Sequence, residues 1–217
     1  MMTSLFSTFD PSTSNTQMNW LIMISPMMAM PMNFWMKKSR WNMMKKMMEK
    51  KLIKDLWNNT SHKEMLLISS STMMIIMLNN LLGLMPYNFT PTSHLCMSMS
   101  MALPMWTMMM MYGWTNFTNK MFIHLLPNST PSPLMPIMIL IETIGNIIRP
   151  LSLSVRLTAN MIAGHLLMVL LGSMNSTSMF MITMLAKMIL MLFETAISII
   201  QAYVFTTLIT LYSEEIP

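Results

Sequence analysis

Charge is missing from most of this chain, and that absence limits its fold more than any other feature. Uncharged intervals run over 11–36, 65–119, 121–141, 157–186 and 195–213. A bilayer core of about 30 Å takes about 20 helical residues, so each interval is near a membrane span in length or longer. Charged residues make up 10% of the 217 positions, whereas a soluble domain carries about 25%. Too little polar surface remains to face water on all sides. A net charge of +5 therefore does not indicate nucleic-acid binding, and one cysteine excludes a disulfide framework or a Cys-based zinc site.

The intervals predict an all-α, polytopic membrane protein with a single membrane domain over 1–217. An N-terminal span is expected at 18–36, bounded by Trp20 and Trp35 and kinked by Pro26 and Pro31. A basic segment follows at 37–63. The 65–114 region reads as a membrane hairpin turning at Pro86–Ser93. Two long apolar helices over 134–212, parted near Gly172, exceed a perpendicular crossing and should be strongly tilted. Nine of the thirteen basic residues lie within 37–63. By the positive-inside rule this surface segment faces the matrix or cytoplasmic side. The N-terminus is then opposite it, and five crossings bring the C-terminus back.

Methionine is abundant, 37 of 217 residues, while Gly, Ala, Val, Asp and Glu together number only 23. Those five types need codons beginning with G. A G-poor coding strand read with a second Met codon, as in animal mitochondria, accounts for both observations. The alternative is a Met-rich copper binder, but the methionines occupy Leu-like and Ile-like places without ligand spacing. Residues 1–17 hold Asp10 and no Lys or Arg, unlike a signal or transit peptide.

Ionisable groups inside spans are costly and suggest function. The two long helices contain Glu142, Arg149, Arg156, His165, Lys187 and Glu194, with the polar Asn146, Asn160 and Gln201. Glu142, Arg149 and Arg156 repeat at seven, as do Lys187, Glu194 and Gln201, so each trio forms one slowly drifting helical stripe. Asn160 shares the Arg156 face, and His165, nine residues on, faces the opposite way. Arg149 and Lys187 are read as neutralising partners of Glu142 and Glu194. Arg156 has no carboxylate three or four residues away, so its counter-ion must come from elsewhere in the fold or from another chain. Glu142 and His165 diverge from it axially by about 21 Å and about 13 Å. A fixed cation between two proton-exchanging groups would block a straight proton leak.

These residues sit in two blocks, His124–Leu167, containing SVRLTANMIAGH (154–165), and ETAISIIQAYVFTTLITLY (194–212). The chain resembles subunit a of the F-type ATP synthase in its mitochondrially encoded, animal (invertebrate-like) form. FDPSTS (9–14), NNLLGLMPY (79–87), TPTSH (90–94) and ALPMW (102–106) extend the likeness more weakly. The resemblance implies a non-catalytic, proton-translocating subunit in the mitochondrial inner membrane, without cofactor or metal. It places the N-terminus in the intermembrane space and the C-terminus toward the matrix. Arg156 would be the essential arginine against the rotating c-ring, flanked by Asn160 and Gln201. His165 and Glu194 would line the proton half-channel from the intermembrane space, and Glu142 the one to the matrix. Partners would be the c-ring, the peripheral stalk, other membrane-sector subunits, the lipid bilayer and protons. Lys187, the glycine-free PNSTP loop and the lysine-rich 37–63 segment depart from the family pattern. A membrane proton-pathway subunit of a respiratory complex is the alternative. It explains buried Glu, His and Lys but not a lone arginine.

Overall fold

The computed structural model describes residues 5–12, 16–26, 39–57, 63–85, 88–126, 131–173 and 180–214. Among these, the chain is built from α1 (Arg40–Trp57), α2 (Lys63–Gly83), α3 (Leu95–Asn116), the short α4 (Thr118–His124), α5 (Met135–Ser173) and α6 (Phe180–Glu214). Short 3-10 segments occur at Leu5–Phe9, Met18–Ile24, Pro91–Ser93 and Ser132–Leu134. The all-α expectation holds, and no strand occurs among the described residues. Among the described residues three helices are long and apolar enough to cross a membrane, over Met65–Gly83, Ser132–Ser173 and Phe180–Glu214. α3 has the length and no charge, but Ser98, Pro104, Trp106 and Tyr112 dilute its hydropathy.

The span expected at 18–36 is described only to Pro26. Its start is a 3-10 turn entering helix at Ser25, and its remainder lies outside the described residues. α5 has 39 residues and runs unbroken through Pro150, which at 1.5 Å per residue is about 58 Å. α6, with 35 residues, runs about 52 Å. Each is well over the hydrocarbon thickness, as a tilted helix requires.

α2 packs on α6, α3 on α5, and α5 on α6. The core draws on all four, with Ile76 from α2, Ala102 and Met109 from α3, Leu153 and Leu157 from α5, and Ala202, Phe205 and Ile209 from α6. Lipid tails are as apolar as leucine, so burial does not drive these helices together. Close packing of small side chains does. Ser69, Ser98, Ser154, Ser198, Thr206 and Thr210 are all buried at the contacts. Each hydroxyl donates to a carbonyl of its own helix, as Ser69 Oγ does to Leu66 O at 3.1 Å and Thr210 Oγ1 to Thr207 O at 2.8 Å.

The buried residues of α5, from Pro150 through Leu153, Ser154, Leu157 and Thr158 to Met161, recur at the three- and four-residue steps of one helical face. The hairpin turn expected before residue 94 does fall between α2 and α3. Its residues Phe89, Thr90, Pro91, Thr92 and Ser93 are buried. The segment satisfies its own polar groups, with Ser93 Oγ donating to Thr90 O at 2.7 Å, and is thereby able to lie against α2, α3 and α5.

Candidate functional site

Where α2, α5 and α6 meet there is a cavity of about 210 Å³. Its polar lining is Asn80 from α2, Asn160 and Gly164 from α5, and Glu194, Ser198 and Gln201 from α6. The rest is apolar, including Leu84, Met161, Leu190 and Phe193. The space is large enough for several waters, and its lining includes polar side chains.

Glu194 and Gln201 reach this cavity because they lie on the packing face of α6, in series with Ser198, Ala202 and Phe205. The Gln201 side chain is fixed from across the helix pair, with Asn160 Nδ2 donating to Gln201 Oε1 at 2.9 Å. The Glu194 carboxyl occupies room left by a missing side chain on α5. A Cβ on Gly164 would stand 2.9 Å from both Cδ and Oε1 of Glu194, closer than carbon and oxygen approach without repulsion. Glu194 Oε1 is buried without a protein hydrogen-bond partner, and so are both amide atoms of Asn80, which is fully enclosed. An orphaned amide or carboxyl in an apolar surround costs a few kcal/mol. Sequence reasoning missed Asn80 and Gly164. The Asn79–Asn80 pair inside an otherwise apolar span was the available signal, whereas nothing local marks a glycine that faces another helix.

The remaining predicted residues lie around this cavity. Arg156 is exposed on the flank of α5, one turn before Asn160 and away from the buried Leu157 face. Among the described residues it has no carboxylate partner. His165 points elsewhere than Glu194 although it follows Gly164. Its ring lies against the Gly83 backbone and edge-on to Phe9, with centroids 6.3 Å apart. It is not among the cavity's lining residues. Its Nε2 is buried without a protein partner.

Glu142 stands apart from these groups, with its Oε1 3.6 Å from Arg149 Nη2. The expected Glu142–Arg149 pairing is therefore present. Arg149 also lies over the Tyr212 ring at 4.9 Å and lines a smaller cavity with His124, Asn146 and Tyr212. The expected Lys187–Glu194 pairing is corrected: no ion pair joins them among the described residues, because the Glu194 carboxyl turns into the notch at Gly164. Nor do the described residues contain a group of three or more His, Cys, Asp or Glu able to hold a metal.

The sequence profile of a family described as ATP synthase A chain matches residues 13–214. Among curated proteins, the ATP synthase subunit a of Locusta migratoria is 47% identical, with all of each chain covered. Those of Drosophila melanogaster and Anopheles quadrimaculatus are 48% and 46% identical, again over the full length of both chains. A profile match and full-length relatives together settle the kinship that the two C-terminal blocks suggested, and the chain belongs to the ATP synthase A chain family.

Proposed function

We propose that this chain is the proton-conducting stator subunit of an ATP synthase membrane sector in the mitochondrial inner membrane. Arg156 carries the reading. It is a permanent cation, midway along a membrane-length helix, on an exposed flank without a carboxylate partner among the described residues. An unpaired guanidinium at such depth costs at least a few kcal/mol, so its counter-charge has to arrive from another chain. A ring of carboxylates on a rotating c-ring supplies one repeatedly.

Protons from the intermembrane space pass by His165 and Glu194 through the cavity that also holds Asn80. There they neutralise a c-ring carboxylate, which then moves into lipid. After almost a full rotation the carboxylate reaches the matrix-side path near Glu142, releases its proton and meets Arg156. Asn160 and Gln201, bonded to each other, hold the α5–α6 surface that the ring slides past. Arg156 stands between the entry and exit groups and repels a proton travelling straight between them. Each charge transferred contributes about 2.3 kcal/mol per 100 mV. On this reading the N-terminus is in the intermembrane space and the C-terminus faces the matrix, and the catalytic head and the peripheral stalk are separate subunits. Family membership leaves the respiratory-complex alternative without support.

Replacing Arg156 with Ala in the assembled enzyme tests the proposal. Proton-driven ATP synthesis should be abolished while the head still hydrolyses ATP. Normal synthesis by that variant refutes the assignment.

A further inference from the structure

The N-terminal peptide contributes a side chain to the candidate proton path. The 3-10 turn Leu5–Phe9 packs on α5, and its last residue makes two long-range contacts. The Phe9 ring meets the His165 imidazole edge to face, with an interplanar angle of 84° and centroids 6.3 Å apart. The Phe9 carbonyl lies 3.0 Å from His94 Nε2. A carbonyl oxygen only accepts, so His94 Nε2 carries the hydrogen and donates it.

His94 is itself held by two further aromatic rings. Trp20 and Phe89 stand against its ring at 5.2 Å and 5.4 Å and against each other at 5.5 Å. Its backbone ends the Pro91–Ser93 turn and starts α3, with its carbonyl accepting from Met97 N at 3.0 Å. Phe6, on the same N-terminal turn, is 66% exposed and makes no such contact.

We infer that Phe9 is a positioning residue for His165 and that His94 is the latch that keeps Phe9 in place. A histidine that passes protons must present its nitrogens in a fixed orientation, and His165 Nε2 has no protein hydrogen bond to set one. A backbone hydrogen bond with Gly83 restrains the ring at one point, and packing must supply the rest. The Gly83 backbone lies on one part of the ring and the Phe9 edge on another. Edge-to-face aromatic contact has a preferred geometry, so it restricts rotation of the imidazole as a shapeless apolar neighbour would not. The FDPSTS and TPTSH segments, which belong to neither long helix, gain a role in this way.

The inference rests on His165 being part of the proton path. The test uses the complete enzyme in sealed vesicles, with passive proton flux through the membrane sector driven by an imposed potential after removal of the head. His165→Ala examines the underlying reading alone. If that variant conducts normally, the reading of His165 fails and the inference with it. Given a low flux in His165→Ala, Phe9→Leu should assemble fully and conduct on the order of tenfold less, as a misplaced transfer group does. Phe9→Tyr, which keeps the ring, should restore the flux, and Phe6→Ala should have no effect. His94→Ala should lower the flux, whereas His94→Gln, which retains an N–H donor, should largely preserve it. Normal flux in assembled Phe9→Leu, or equal loss in Phe9→Leu and Phe9→Tyr, overturns the inference while leaving the His165 assignment intact.

Discussion

A single methyl group at position 164 should separate the stability of this fold from its conductance. The Cβ of Gly164→Ala would be placed 2.9 Å from Glu194 Cδ and Oε1 and 3.2 Å from Cγ, whereas ordinary contact begins near 3.4 Å. The carboxyl must therefore retreat by about 0.5 to 1 Å, since repulsion rises steeply inside the contact distance. What obstructs the methyl is the far end of a flexible side chain, with no backbone atom among the nearest contacts. The α5–α6 pair need not separate, and the cost should stay below the roughly 1–3 kcal/mol of overpacking in a rigid core. Alanine also recovers up to about 1 kcal/mol of helix propensity. Assembly and thermal stability should thus be nearly unchanged.

Proton transfer is less tolerant, because a displacement of about 1 Å in a reacting group costs up to about a hundredfold. ATP synthesis driven by an imposed proton gradient in vesicles should fall at least severalfold in Gly164→Ala. The chain supplies its own controls: a Cβ at Gly145 or Gly172 meets nothing within 4 Å, and Gly145→Ala and Gly172→Ala should synthesise normally. Equal rates in Gly164→Ala and Gly172→Ala would refute the argument that this notch sets the position of Glu194.

Three further outcomes follow from the same geometry. Asn80→Leu removes a buried amide that has no protein partner, so the melting temperature of the purified complex should hold or rise while proton flux falls. Phe205→Ala empties a core position that is 1% exposed and should cost about 3–5 kcal/mol, read as a lower melting temperature or as loss of the chain from the assembled complex. Gln201→Leu takes away the acceptor of the 2.9 Å bond from Asn160 and should destabilise by about 1 kcal/mol.

Much of this architecture could be read from the residues because two simple constraints dominate it. Charge depletion located the long helices, and a repeat of seven residues put Glu142 within reach of Arg149, where the ion pair is found. The same spacing failed for Lys187 and Glu194. Periodicity fixes the face of a helix but not what stands opposite, and opposite Glu194 stands a glycine. The turn at Phe89–Ser93 was legible as a turn, but its burial was not. Its Pro, Thr and Ser content is that of a surface loop, and only its internal hydrogen bonds, such as Thr90 Oγ1 to Ser93 Oγ at 3.1 Å, let it be enclosed. Asn80 is marked only by its pairing with Asn79, since an amide carries no charge, and its cavity exists only once α2 and α6 have met. The contact of Phe9 with His94, 85 residues apart, leaves no trace in local pattern.

The two faces of α5 show why this chain is suited to act as one component of a larger machine. One face, Leu153, Ser154, Leu157 and Met161, is buried against the chain's own helices. The other carries the exposed Ile148, Leu151 and Val155 beside Arg156 and Asn160. Lipid alone would satisfy the aliphatic side chains but not the guanidinium, whose burial in hydrocarbon without an anion is costly. A permanent carboxylate partner within the chain would remove that cost and would also hold the arginine in a fixed ion pair. On the proposed function, leaving the partner to another subunit would keep the cation available, so that its pairing is made and broken as carboxylates pass. On that proposal the cost of an unpaired Arg156 and its use against a moving ring would have one origin. Accumulation of the chain in the membrane should therefore depend on the c-ring far less in Arg156→Leu than in the unmodified protein, measured as its abundance after c-ring depletion. Equal dependence in the two would break the link between the unpaired charge and assembly.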